Sequence, residues 1–108
     1  MTPTRLFDFI AFKLENQPLE SAFATKYNGI WERESTSSFY DKTIAISKAL
    51  LELGVKPDDK IAMISSNNRT EWCVTDCGIL RVGAINVPIY PTISATDYEY
   101  ILKHSESK

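Results

Sequence analysis

The chain holds one histidine, two cysteines and four glycines in 108 residues, and each scarcity excludes something. A structural zinc site draws about four ligands from Cys, His and carboxylates. Here Cys73 and Cys77 are the only thiols, and His104 lies far along the chain from both. A disulfide between residues four apart on one helix has poor geometry. Both cysteines are therefore expected to be reduced packing side chains that bind no metal. The glycines are scattered at positions 29, 54, 78 and 83, so neither a glycine-rich phosphate loop nor a dinucleotide fingerprint can be assembled. Charge of one sign is also missing. Twelve basic against fourteen acidic residues leave a net charge of −2 with no basic run, which removes the electrostatic footprint of a nucleic-acid binder. No stretch approaches the roughly 18 apolar residues of a membrane span. The opening "MTPTRLFDFIAFKLENQP" has an apolar middle, but Asp8, Lys13 and Glu15 interrupt or flank it and no small-residue cleavage site follows. It reads as an amphipathic helix rather than a signal peptide, and the cytoplasm is the expected setting. The sequon at Asn68–Thr70 is then coincidence.

What is present suits one small α/β domain. Leu6, Ile10 and Leu14, with Phe7 beside them, predict a first helix ended at Asn16–Pro18. Asn28-Gly29 is a two-residue turn between strand-prone arms carrying Phe23 and Tyr27 on one side and Ile30 and Trp31 on the other, hence a β-hairpin. Phe39, Thr43, Ile46, Leu50 and Leu53, widened by Ile44 and Leu51, predict a long helix. Ser35–Ser38 offer its N-cap, Gly54 its stop, and Val55 a side chain to fold back over the last turn. "KIAMISS" and "AINVPI" are non-alternating apolar runs, the pattern of strands covered on both faces. Between them "NNRTEWCVTDCGILRVG" predicts a helix with Trp72, Asp76, Ile79, Leu80 and Gly83 on one face. The expectation is a parallel pairing of Lys60–Ser65 with Ala84–Ile89 and a right-handed crossover helix over Thr70–Val82. Pro88 and Pro91 bracket Ile89-Tyr90, so strand pairing is expected to fail near there. Ser94 with Asp97 caps a last helix whose apolar face is Tyr98, Ile101 and Leu102. In an α/β fold that helix leads to a further parallel strand.

Candidate chemistry is sparse. Ligands of open α/β sheets bind beyond the strands' carboxyl ends, where "SSNNR" at Ser65–Arg69 follows a strand and opens a helix. Without glycine that loop is expected to cap the helix rather than to cradle phosphate. His104 reads as a surface side chain, Asp58 and Asp59 as turn residues, and Trp31 and Trp72 as packing anchors. Glu71 and Asp76, five apart on a helix, do not form an acid–base pair.

The segment "GVKPDDKIAMISSNNRTEWCVTDCGILRVGAINVPIYPTISATDYEYILKHS" resembles the N-terminal part of the AMP-forming acyl-CoA synthetases of the adenylate-forming superfamily. "KALLELGVKPDDKIAMIS", "NNRTEW", "GILRVGAINVPIYPT" and "YEYILKHS" carry the likeness, and "NNRTEW" and "VPIYPTIS" are most similar to the long-chain fatty acid branch. The resemblance covers the chain from about Trp31 onward and, more weakly, the first helix. It implies a partial parallel sheet with flanking helices and an N-terminal hairpin, forming the front of a large N-terminal domain, with residues 1–108 a single incomplete domain. It implies a longer enzyme that activates a fatty acid with MgATP to an acyl-adenylate and passes it to coenzyme A, cytoplasmic and peripheral to the membrane. The family's phosphate loop, "YGxTE"-like segment, ribose-binding aspartate and C-terminal lysine find no counterpart here. "HSESK" stands where many relatives have a glycine-containing version. Catalytic, cofactor-binding and metal residues within these 108 positions are therefore expected to be none, with ATP, Mg and coenzyme A belonging to the longer enzyme. The rivals are another superfamily member, such as a short-chain ligase or an adenylation domain, and a non-catalytic interaction module on the same fold. The remainder of the enzyme is the expected partner, and an isolated chain is expected to be inactive and to self-associate.

Overall fold

A computed structural model describes residues 2–108. The elements run α1 (Asp8–Asn16), β1 (Phe23–Tyr27), β2 (Ile30–Glu34), α2 (Thr36–Glu52), β3 (Lys60–Ile64), α3 (Thr70–Arg81), β4 (Ile85–Ile89) and α4 (Ala95–Ser105). Two separate two-stranded sheets result: the antiparallel β1–β2 hairpin and the parallel β3–β4 pair. The hairpin closes on Asn28 and Gly29, both at positive φ, as a two-residue turn requires. The crossover helix and both parallel strands lie within a residue of the sequence expectation.

The centre of the molecule is the packing of α2 on α3. Ser35 caps α2 by accepting the Ser38 N–H at 3.1 Å. Its other end is a Schellman closure: Val55 N–H donates to the Leu50 carbonyl and Gly54 N–H to that of Leu51, with Gly54 at φ +87°. Phe39, Thr43 and Ile79 are the largest fully buried side chains. Phe39 stacks on Phe23 of the hairpin with ring centroids 4.1 Å apart. The two helices are in close contact at Gly78, where an added Cβ would stand 2.8 Å from Ile46 Cβ and nearer still to its Cγ2. Ser47 Oγ donates to the Gly78 carbonyl at 3.0 Å, which satisfies a hydroxyl inside this seam.

That seam bears out Phe39, Thr43 and Ile79 and corrects the rest of the expected faces. On α3 the buried residues are Val74, Gly78 and Ile79, while Trp72, Asp76 and Leu80 are half-buried and Gly83 is exposed. On α2 the stripe runs through Phe39, Thr43 and Ser47, and Leu53 is 80% exposed. The helices also meet through Ser47 and Gly78, which a hydrophobic stripe does not mark. In α1 likewise, Leu6 precedes the helix and is exposed, whereas Asp8 is buried. Its carboxylate accepts the N–H groups of Thr4 and Arg5 and pairs with the Arg5 guanidinium at 3.0 Å. Those bonds hold its pKa down at about 2, the Arg5 side chain contributing most.

The parallel sheet is covered unevenly, against the expectation that both faces are closed. Asn86 donates to Asp76 of α3 at 2.8 Å, so Ala84, Asn86 and Pro88 face that helix and Ile85, Val87 and Ile89 the other side. There Ile89 is buried, but Ile64 and Ile85 are half or nearly half exposed, and every residue of α4 is at least partly exposed. Ser94 caps α4 as the sequence suggests, accepting the Asp97 N–H at 3.2 Å.

Pairing runs through Pro88 and stops at Ile89, next to Tyr90, where the sequence places its failure. Ile85 N–H donates to the Asp59 carbonyl, and the register Lys60↔Ile85 to Ile64↔Ile89 continues through Met63↔Pro88. In that phase the odd residues of β4 send their N–H groups to β3, so the donor that Pro88 lacks belongs to the opposite edge. The other edge of β3 meets the last residue: the Lys108 N–H donates to the Lys60 carbonyl at 2.7 Å, and the Lys108 backbone oxygen accepts from the Ala62 N–H at 3.0 Å, a parallel bridge.

Candidate functional site

Beyond the carboxyl ends of β3 and β4 lies a cleft of about 610 Å³. One wall is the loop Ser65–Asn68 leaving β3, the other is Pro88–Pro91 leaving β4, and Trp72 from the first turn of α3 completes it. The position follows from parallel strands whose connections diverge at the same end. The loop is held by Ser65 Oγ donating to the Asn67 carbonyl at 2.9 Å. Tyr90 is 80% exposed, and its carbonyl is tied to α4 by the Tyr98 hydroxyl at 3.0 Å. Hydroxyls and amides thus face two prolines and two aromatic rings. Among the described lining residues none is charged, so the cleft offers hydrogen bonds and flat apolar surface rather than acid–base or nucleophilic chemistry.

The start of α3 is not capped by its preceding loop, contrary to expectation. Arg69 occupies the cap position without a side-chain bond, and the Thr70 N–H instead donates to Thr25 Oγ1 of the hairpin at 2.9 Å. The two threonine hydroxyls lie 2.7 Å apart. Beside them the Tyr27 hydroxyl donates to both Glu71 carboxylate oxygens, at 2.5 and 2.6 Å. The Arg69 guanidinium sits 5.7 Å from the Tyr27 ring. The Tyr27 bond holds the Glu71 carboxyl below the ordinary glutamate range, and the same bond pushes the phenol up. A lowered carboxyl and a raised phenol each keep their resting state at neutral pH, so this is a clasp and not a proton shuttle.

The remaining singled-out residues lie apart. His104 stacks on Tyr100 along α4, centroids 5.4 Å apart. Cys73 and Cys77 are free, half-buried thiols pushed up mainly by burial, hence poor nucleophiles. Trp31 is no packing anchor: it is 58% exposed on the hairpin. Of the sequence candidates, Ser65–Asn68 and Trp72 come together at the cleft, and Arg69 pairs with Glu71 at 3.5 Å. The Pro88–Pro91 wall was legible only as a turn, although the strand-end rule applied to β4 points to it as well.

Residues 12–108 match the family described as AMP-binding enzyme. The chain belongs to that family. It is 35% identical over 80 residues to a long-chain-fatty-acid–CoA ligase of Mycobacterium bovis, covering 74% of this chain and 13% of that protein. It is 36% identical over 76 residues to a 4-hydroxybutyrate–CoA ligase of Metallosphaera sedula, covering 70% and 14%. The chain therefore spans about an eighth of the length of these curated relatives. The crystal structure of a fatty acid AMP ligase from Legionella pneumophila superposes with a TM-score of 0.84 at 21% identity, over 95% of this chain and 18% of that one. That likeness shows that the chain shares its fold with a part of that ligase.

Adenylate-forming enzymes use ATP, magnesium and coenzyme A, and the described residues do not fit the first two. No group of three or more His, Cys, Asp or Glu among them could hold a metal ion. The helix N-terminus nearest the cleft has its Thr70 N–H occupied by Thr25, and the loop before it has no glycine to bring backbone N–H groups around a phosphate. Among the described residues no helix is long and apolar enough to cross a membrane.

Proposed function

We propose that these residues are the opening portion of a cytoplasmic long-chain fatty acid–CoA ligase. The longer protein activates a fatty acid with MgATP, releases pyrophosphate and transfers the acyl group to coenzyme A. This portion supplies scaffold and a cleft wall rather than reacting groups, and forms one incomplete domain. The observation that carries the reading is the family match over residues 12–108 joined to a segment of a relative named for that activity. The apolar side of the β3–β4 sheet supports it, because Ile64 and Ile85 stand exposed where further chain of such an enzyme would cover them. Left alone, that side favours self-association, so light scattering after size exclusion reports species larger than monomer.

The test is a pyrophosphate-release assay with ATP and palmitate. The 108 residues alone read background, and the protein translated from the full reading frame turns over. Background from both would sink the proposal. The 4-hydroxybutyrate–CoA ligase relative, matched at similar identity, favours a second reading in which the acid is short and hydroxylated. A panel of acids given to the full protein separates the two.

A further inference from the structure

The hairpin sorts its charges by strand alternation. Thr25 is buried and Phe23 stacks on Phe39, so the odd residues of β1 face the helices, together with their partners Ile30, Glu32 and Glu34. The opposite face carries Ala24, Lys26, Trp31 and Arg33. Both charges on that face are positive, while the two strand carboxylates are on the other side. Trp31 is 58% exposed with the Lys26 ammonium 5.8 Å from its ring. An indole flanked by long cationic side chains suits a lipid headgroup layer, where the ring takes the interface and the cations reach phosphates. A specific protein partner would bury roughly 800 Å² on each side, more than four ribbon side chains offer, whereas a lipid surface demands no matching shape.

We propose that the outer face of the β1–β2 hairpin is a contact surface for anionic lipid, with Trp31 inserted at headgroup level and Lys26 and Arg33 on the phosphates. The inference goes beyond the acyl-activating reading and does not rest on it. Two cations give weak attraction that salt screens.

The experiment is co-sedimentation of the protein with vesicles of phosphatidylcholine alone and with added phosphatidylglycerol, at low and high salt. Binding is expected only to the anionic vesicles and is lost at high salt. In a Trp72→Phe protein the remaining Trp31 emission shifts to the blue on anionic vesicles. Lys26→Gln with Arg33→Gln weakens partitioning roughly thirtyfold at low salt, and Trp31→Ala removes most of the rest. Circular dichroism checks that each variant is folded, and the exposed glutamine pair serves if Trp31→Ala is not. Equal binding to neutral vesicles, binding indifferent to both variants, or no binding at all would overturn the proposal, the last leaving the face to a protein partner.

Discussion

The α2–α3 seam and the β3–β4 sheet are both built from apolar stretches, yet only the first is closed. In the seam Phe39, Thr43 and Ile79 are sealed and Ser47 spends its hydroxyl on the Gly78 carbonyl. In the sheet α3 covers one side, while α4 leaves Ile64 and Ile85 open on the other. Apolar runs announce that a strand wants cover on both faces, but cover comes from the neighbours the chain can reach. The energetic weight of the molecule therefore sits in its helical half, and substitutions should sort accordingly.

The largest effect is expected at Phe39. Phe39→Ala removes a fully buried ring that also stacks on the hairpin, and should cost about 3–5 kcal/mol in a urea melt. Leu50 is only half-buried, so Leu50→Ala falls near the low end of the buried-leucine range, about 2 kcal/mol. Gly78→Ala tests the seam from the opposite direction. The new methyl meets Ile46 below van der Waals distance, and overpacking of this kind costs about 1–3 kcal/mol. A neutral Gly78→Ala would mean that the two helices separate easily and that the contrast between the two halves is weaker than the geometry implies. Next comes Thr25→Val, which strips the donated cap from the start of α3 and should cost about 1 kcal/mol. Its distinguishing sign is faster amide exchange at Thr70, next to the cleft loop.

These sites also mark where the sequence was readable. The hairpin turn, the three capped helix starts or stops at Ser35, Gly54 and Ser94, and the parallel unit were legible because each rests on a local signal or on a long apolar run. The phase of α3 was not, because Gly78 and Ser47 make the interface by being small and hydrogen-bonded. Pro88 and Pro91 marked where the ladder stops, but not why Pro88 is tolerated inside it: which edge a strand residue faces depends on register, and register is a property of two strands. Trp31 misled because alternation shows that two faces exist without naming the inner one. At the cleft the Ser65–Asn68 wall could be found from its place after a strand, while the Pro88–Pro91 wall needed the partner strand to be placed beside it. The clasp of Thr25 and Tyr27 on Thr70 and Glu71 joins residues more than forty positions apart and left no local trace.

A smaller, local effect belongs to α1. Asp8 has its folded pKa lowered from 3.8 to about 2, mainly by Arg5. A depressed carboxyl adds stability that is complete above its unfolded pKa and fades as the pH falls through its folded one. Amide resonances of α1 should therefore be steady above about pH 4 and lose dispersion between there and about pH 2. Asp8→Asn should show weaker protection of the Thr4 and Arg5 amides at neutral pH and no such acid step. An acid step that persists in Asp8→Asn would move the cause to another carboxylate.

The smallest effect is expected on α4, and it makes the sharpest use of the comparison. Tyr100 is 64% and Leu102 38% exposed. Tyr100→Ala or Leu102→Ala should therefore change the stability of these 108 residues by less than about 0.5 kcal/mol. The same two substitutions made in a longer protein that covers this side of the sheet would truncate buried side chains and cost several times more. If α4 substitutions are already costly here, the helix is packed by contacts the static arrangement does not contain, and a second copy is the first candidate, visible as a melt that depends on protein concentration. If they are harmless in both settings, the apolar side of the sheet is covered by something that avoids α4, and the division between a closed half and an open half was drawn along the wrong line.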